Sequence, residues 1–358
     1  MSFVPVQGEC YEPSAKKRKR GPLTIDIFAG AGGMTEGAEL GGASVAWAIN
    51  HWDLAINTHY ENHPDVVHCC EDAFMYDWRD APLPRIIMAS PSCQGHSSAA
   101  TAGLEKGRRG TAPGHDRLRA TASAVPRCLE IMAYRAAGQR EPAPVLIVEN
   151  VPDFLKWHGY RGWKAYVEDI PPGYSISENI LNASDYGVPQ DRKRVFVIAT
   201  PSKSPFVLKP PAEREPVPFR TCISRKRDLE WTPVSQWPNL NVAAKAKSKG
   251  AMFVSKMGYS TKPDVWAWHN STDTLPTHPD GQIRTITYKS GGQWYMVRST
   301  SRGEEMRSFT VGEFRAAMGF NDSYKLPDSV GKAVELLGNA VCPPVAEDIV
   351  RQVIKRAL

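Results

Sequence analysis

The sequence predicts an α/β fold, a mostly parallel sheet with helices on both faces, together with a smaller second domain. Three observations carry this. Short β-rich runs alternate with helix-like segments from Leu23 to about Thr200, the pattern of strand–helix–strand units that build a parallel sheet. The alternation breaks between Pro201 and about Pro279, where Pro, Lys, Trp and Ser dominate. Helical periodicity returns from Val311 onward, so the irregular stretch reads as a small domain set into a larger one.

Taken in order, the predicted strands are Leu23–Phe28, Ser44–Ile49, Arg85–Ala89, Val145–Val148, Ile176–Leu181 and Val195–Ala199. Between most of them lie predicted helices: Met34–Leu40, Asp53–Glu61, Ala120–Ala137 and Trp163–Asp169. Three more helices follow the insert, at Val311–Met318, Val330–Leu337 and Val345–Ala357. Residues 1–22 are polar and aperiodic, and are expected to be disordered. The expected boundaries are a basic tail of 1–22, a main domain of 23–200 and 281–358, and a second domain of 201–280. No internal repeat is visible.

Composition narrows the class. Apolar residues make up 42% and charged residues 23% of the 358, ordinary for a globular enzyme. No apolar run approaches the ~20 residues of a membrane span, and the N-terminus has no apolar signal core. Seven cysteines without a regular framework suggest a reducing compartment. No CxxC pair or His-rich cluster has zinc spacing, the adjacent Cys69 and Cys70 included, so no metal is expected. The net charge of +6 is unevenly spread. Residues 16–20 (KKRKR) carry +5, residues 203–262 carry +8, and the remainder is −7. A basic insert on a near-acidic body points to a polyanion, with a solvated charged face as the plainer alternative. The tail reads as a nuclear address, a DNA-contacting arm or a solubilising end.

Five motifs carry candidate chemistry. Asp26-Ile27-Phe28-Ala29-Gly30-Ala31-Gly32-Gly33 follows the first strand. A glycine turn between strand and helix lets backbone amides approach a ligand, although a tight structural turn would look the same. Ser90-Pro91-Ser92-Cys93-Gln94-Gly95-His96-Ser97 follows an apolar strand, and ligand chemistry in open α/β sheets sits beyond strand C-terminal ends. A cysteine in such a turn can be exposed enough to react. The Gly-rich, basic stretch from Gly103 to Arg119 has the length and composition of a lid. In Val145-Leu146-Ile147-Val148-Glu149-Asn150-Val151, four apolar residues run into a carboxylate. Desolvation there raises its pKa and suits it to proton donation; a helix cap or salt bridge is the alternative. Gln190-Asp191-Arg192-Lys193-Arg194 precedes a strand, with Arg192 and Arg194 expected on one face. Leu337-Gly338-Asn339-Ala340-Val341 is a Gly-Asn turn between helices.

In this order and spacing, the motifs resemble the DNA (cytosine-5)-methyltransferase family, from Leu23 to about Thr200 and from Gln282 to the end. The family's Pro-Cys-Gln motif corresponds to SPSCQGHS, its Glu-Asn-Val to ENV, its Gln-x-Arg-x-Arg to QDRKR and its Gly-Asn-x-Val to GNAV. The resemblance implies an S-adenosylmethionine-dependent, Rossmann-like methyltransferase sheet with a target-recognition domain at 201–280. It makes Cys93 the nucleophile that adds to C6 of a flipped-out cytosine, so that C5 can attack a methyl group. Glu149 would neutralise N3, Arg194 would bind O2, and Arg192 would be its companion. Gln94 and Ser97 would lie against the DNA, with a water near one of them accepting the C5 proton. S-adenosylmethionine would be held by Phe28, Gly30, Gly32, His51, Trp52, Asp72, Asn339 and Val341. Arg225, Arg227, Lys245 and Lys247, with Lys226 and Lys249, are candidate phosphate contacts. Trp231, Trp237, Trp266 and Trp268 read first as a small core and second as base-stacking groups. The implied partner is double-stranded DNA, bound by a monomer in a cytoplasmic, nucleoid-associated setting within restriction–modification; the tail allows a nuclear one.

Two positions depart from the family. Ser92 stands where Pro usually precedes the nucleophile, which loosens the turn; Pro91 is expected to offer its carbonyl to the base amino group. His51 stands where a ribose-binding Glu is usual. A neutral imidazole accepts one hydrogen bond where a carboxylate accepts two, so Asn50 is a second candidate for the ribose, and a cofactor with extra negative charge is a third reading. RNA cytosine methylation is the alternative activity. A DNA-binding regulator with a dead site is disfavoured by intact Cys93, Glu149 and Arg194. A nicotinamide dehydrogenase is disfavoured by the missing GxGxxG.

Overall fold

The computed structural model describes residues 5–13, 20–92, 123–224, 228–237, 266–269, 280–287 and 294–358. The chain divides into two compact units, residues 1–182, 193–212 and 340–358 in the first and 183–192 and 213–339 in the second.

The first unit is built on an eight-stranded sheet. Its strands are β1 (Glu9–Tyr11), β2 (Leu23–Ile27), β3 (Ser44–Ile49), β4 (Val67–Cys70), β5 (Ile86–Ala89), β6 (Val145–Asn150), β7 (Ser175–Asn182) and, after β8 of the other unit, β9 (Lys193–Thr200). The order is β1-β4-β3-β2-β5-β6-β9-β7. From β4 through β6 every pairing is parallel. β9 then runs antiparallel to β6, and β7 antiparallel to β9. The runs IIMA of β5 and VLIVEN of β6 are buried throughout, as central strands covered on both faces require. The helices α1 (Gly33–Leu40), α2 (Asp53–Asn62), α3 (Ala124–Gln139), α4 (Tyr160–Asp169) and, near the C-terminus, α7 (Pro343–Ala357) belong to this unit. The mostly parallel α/β sheet is therefore as predicted.

Two expectations are corrected at the sheet edge. The 1–22 segment is not wholly disordered: Glu9–Tyr11 gains backbone hydrogen bonds by pairing antiparallel with β4. That register sets Cys10 opposite Cys69, and the two form a disulfide, against the expectation of reduced thiols. Cys70, Cys128, Cys222 and Cys342 are buried and form no disulfide. Residues 16–19 of the basic run lie outside the described residues.

The second unit holds β8 (Gln190–Asp191), β10 (Thr232–Pro233), β11 (Trp266–His269), β12 (Ile283–Arg284), β13 (Trp294–Thr300) and β14 (Gly303–Ser308), followed by α5 (Val311–Ala317) and α6 (Val330–Asn339). β10-β14-β13-β11 form an antiparallel sheet, and β8 pairs with β12 in parallel. Val234, Tyr295, Val297 and Met306 make its small core, with Trp237 packed against them. Trp231 lies under the guanidinium groups of Arg298 and Arg307, at 4.2 and 4.9 Å. Trp266 and Trp268 are on β11, but their side chains lie outside the described residues. Arg307 clamps the buried Glu313 with hydrogen bonds of 2.7 and 2.6 Å, and Glu313 completes the capping box that starts α5.

Among the described residues no helix is long and apolar enough to cross a membrane, and no group of three His, Cys, Asp or Glu is arranged to hold a metal ion.

In the first unit, helices α1 and α7 meet backbone to backbone. A Cβ on Gly37 would lie 2.3 Å from the Pro343 carbonyl oxygen and 2.6 Å from Ala346 Cβ. Gly37→Ala should therefore force the helices apart and lower stability by about 1–3 kcal/mol. The check is a lower urea midpoint at unchanged slope; an unmoved midpoint would show that α7 can yield.

Candidate active site

The C-terminal ends of β2, β3 and β4 lie side by side in the first unit, and each opens into a loop bearing candidate cofactor residues. After β2, Phe28, Gly30 and Gly32 all have positive φ, at 61°, 55° and 89°. Left-handed backbone is easy for glycine and uncommon for phenylalanine. Ala29 N–H to the Ile49 carbonyl (3.1 Å) and Gly32 N–H to the Ala29 carbonyl (2.9 Å) hold the turn. Gly32 is the N-cap of α1, so the amides of the first helical turn face the loop. After β3, the Asn50 side-chain oxygen accepts from Trp52 N–H at 2.9 Å. One lone pair of that oxygen is used by the turn, which leaves its second lone pair and the amide N–H groups of Asn50 for a ribose. His51 is exposed and Trp52 half-buried at the start of α2. After β4, half-buried Asp72 accepts from Phe74 N–H at 3.0 Å.

Phe28, Gly30, Gly32, His51, Trp52 and Asp72 thus share one edge of one sheet. Two aromatic rings, a carboxylate acceptor and backbone amides suit a nucleoside-bearing cofactor. Val341 is buried just before α7. Asn339 is the exposed last residue of α6 in the second unit, and its amide donates to the Glu335 carbonyl at 3.0 Å.

The ends of β5 and β6 continue the same edge. Glu149 and Asn150 close β6 and are buried, at 6% and 1% exposure. Arg194 Nε lies 3.1 Å from Glu149 Oε1. Arg194 also donates to the Lys193 carbonyl at 2.8 Å. Beside Glu149, the Asn150 amide donates to the Pro91 carbonyl at 3.0 Å and accepts from Val151 N–H at 2.9 Å. Asn150 therefore tethers the turn that leads from β5 toward Cys93. The motif reading gave Asn150 no role; its signal was an amide, able to donate and accept, directly after a strand-end acid.

Arg192 departs from expectation. Strand β9 begins at Lys193, so two-residue alternation does not extend back to Arg192. Its guanidinium is instead buried in the second unit, donating to the Ile286 carbonyl at 2.8 Å and the Gly338 carbonyl at 2.9 Å. Gln190 does similar work, donating to the Ala317 carbonyl and accepting from Ile286 N–H, both at 2.9 Å. Cys93, Gln94 and Ser97, the 103–119 stretch, and Arg225, Lys226, Arg227, Lys245, Lys247 and Lys249 lie outside the described residues.

The family described as C-5 cytosine-specific DNA methylase matches residues 23–355. The type II methyltransferase M.MthTI of Methanothermobacter thermautotrophicus is 26% identical over 355 residues, covering 93% of this chain and 98% of the relative. M.NlaX of Neisseria lactamica, also a type II methyltransferase, is 26% identical over 345 residues, covering 93% and 96%. The solved S. pombe Dnmt2 methyltransferase superposes with a TM-score of 0.62 at 16% identity, covering 94% of this chain and 99% of its own, a likeness of fold. With the family match spanning nearly the whole chain, over the same edge that carries Phe28, Asp72, Glu149 and Arg194, the protein belongs to the C-5 cytosine-specific DNA methylases and is a DNA cytosine-5 methyltransferase.

Proposed function

We propose that the protein transfers a methyl group from S-adenosylmethionine to C5 of a flipped-out cytosine in duplex DNA, through a covalent bond between Cys93 and C6. The observation that carries this is the Glu149–Arg194 pair at 3.1 Å, next to the Asn150 tether on the turn before Cys93. A paired carboxyl and guanidinium at a strand end offer two ligands to the N3–O2 side of a pyrimidine. The S-adenosylmethionine sulfonium supplies an electrophilic methyl group.

C5 of cytosine is a poor nucleophile. Cys93 thiolate forms a bond to C6, and the C5–C6 π electrons shift into the ring as charge at N3 and O2. Glu149, protonated from solvent as the Arg194 guanidinium turns to O2, gives that proton to N3 while Arg194 donates to O2, which leaves an enamine with a nucleophilic C5. After C5 is methylated, its proton passes to a water beside Gln94 or Ser97. The C5–H electrons re-form the C5–C6 bond and expel Cys93. The Pro91 carbonyl, already accepting from Asn150, keeps a second lone pair for the base amino group. Arg192 acts on the second unit's backbone in this scheme and not on the base. Phe28, Trp52 and Asp72 hold the adenosine, His51 takes one ribose hydroxyl, and Val341 lies toward the methionine end.

The +8 segment at 203–262, in the target-recognition domain, supplies the phosphate contacts and sequence choice. The likeness to type II methyltransferases favours a cytoplasmic modification enzyme of a restriction–modification pair; nothing in it supports a nuclear role for KKRKR. A monomer suffices for this chemistry.

Duplex DNA carrying 5-fluorocytosine at the target should trap the protein, because fluorine cannot leave as a proton does. Cys93→Ala should abolish the adduct and retain cofactor binding; an adduct that persists would place the nucleophile elsewhere. Neutralising Lys245, Lys247 and Lys249 should weaken binding to all duplexes alike and flatten the salt dependence by roughly 0.9 for each phosphate no longer neutralised. An unchanged slope would mean these lysines do not meet DNA. His51→Glu should bind S-adenosylmethionine at least as tightly as wild type in calorimetry, whereas loss of binding would revive a more negatively charged cofactor.

A further inference from the structure

Four buried side chains in the first unit form a continuous chain of hydrogen bonds. Asp26 on β2, Thr35 on α1, His59 on α2 and His68 on β4 are each 0% exposed. Thr35 Oγ donates to Asp26 Oδ2 at 2.7 Å. His59 Nε2 lies 3.0 Å from Thr35 Oγ, and His59 Nδ1 lies 2.8 Å from His68 Nε2.

With Asp26 ionised, proton counting gives the direction of every bond. At pH 8, above the value of about 7 to which burial pushes Asp26, the carboxylate only accepts. A threonine hydroxyl has one proton, and Thr35 gives it to Asp26. Thr35 can then only accept at His59, so His59 carries its proton on Nε2. A neutral imidazole has one N–H, so His59 Nδ1 accepts and the remaining proton belongs to His68 Nε2. Burial and neighbouring imidazoles hold both rings neutral, with His59 well below the ordinary range and His68 at about 3. Nearby, the His63 ring is 4.8 Å from that of His59 and lies 3.2 Å from Glu39 and 3.8 Å from Glu36. Tyr60 meets the His68 ring at 5.5 Å.

The elements joined are those that lead into the cofactor loops. β2 and α1 flank the Phe28–Gly32 turn, α2 starts beside His51 and Trp52, and β4 runs into Asp72. We propose that His59 is a positioning residue for the cofactor, the central link of a one-way donor chain from His68 through Thr35 to Asp26 that fixes these three loops relative to one another. The inference rests on the cofactor reading above. Neither aromatic stacking nor backbone contacts to the adenosine supply this cross-brace, because each belongs to one loop.

Imidazole nitrogen NMR of the full-length protein at pH 8 should show His59 and His68 both neutral and protonated on Nε2. His59→Leu removes the links that run from His59 to Thr35 Oγ and to His68 Nε2, and should weaken S-adenosylmethionine binding by ~10-fold or more with duplex DNA affinity retained. His59→Gln, which offers an amide donor and acceptor, should recover to within ~3-fold. Thr35→Val, of the same shape without the hydroxyl, should also lose ~10-fold in cofactor affinity and stands in for His59→Leu if that variant does not fold. An Nδ1-protonated His59, or wild-type cofactor affinity in folded Thr35→Val, would overturn the proposal. Failure of wild type to bind S-adenosylmethionine would overturn the cofactor reading and this inference with it, whatever the tautomers.

Discussion

The pairing of β9 against β6 is the constraint on which the catalytic edge depends. Its register sets Val195 opposite Asn150 and Phe196 opposite Glu149, so Arg194 arrives at the end of β6 with its guanidinium on the Glu149 carboxyl. Both groups are largely buried, at 14% and 8% side-chain exposure, and a buried charge is tolerated only with a partner. A slip of one residue would turn Glu149 to the other face and strand both charges. The same strand end fixes Asn150, whose amide holds the Pro91 carbonyl. One register therefore sets the Glu149 carboxyl, the Arg194 guanidinium and the Pro91 carbonyl of the turn before the proposed nucleophile together.

The cofactor edge follows from a second consequence of the same sheet. Parallel strands all end on one side, so the loops after β2, β3 and β4 converge beside those after β5 and β6 without further design. What parallel strands do not provide is rigidity in those loops. Part of it comes from the left-handed turn at Phe28, Gly30 and Gly32, and part from the close packing of α1 on α7 at Gly37. The buried chain through His59 ties the elements beneath these loops. In the proposed reaction the two edges divide the labour: one holds the methyl donor, the other activates the base.

Much of this was legible in the sequence because apolar periodicity and strand-end motifs report the same physics as the fold. IIMA and VLIVEN could hardly be anything but central strands, and Glu149 stood at the end of one. The misses have physical reasons. VHCC of β4 lacks a run of β-branched residues, and β1 is three residues long, so neither announced itself; without their register the Cys10–Cys69 pair could not be foreseen. Arg192 was expected on the face of Arg194 by alternation, but the strand starts one residue later and its guanidinium is bonded to the Ile286 and Gly338 carbonyls. The links between Asp26, Thr35, His59 and His68 join distant positions, and no local pattern encodes them. The insert was legible only as charge, because base readout depends on where individual side chains point.

The central claim is that Glu149 and Arg194 activate cytosine for addition of Cys93. It is tested most directly by release of tritium from duplex DNA carrying [5-³H]cytosine, with S-adenosylmethionine absent. Addition at C6 makes C5 basic enough to take a solvent proton, and elimination of Cys93 then releases the label as water. The account predicts release by wild type, and a loss of ~100-fold or more in both Glu149→Gln and Arg194→Ala with duplex binding retained. Release at the wild-type rate by either variant would contradict it.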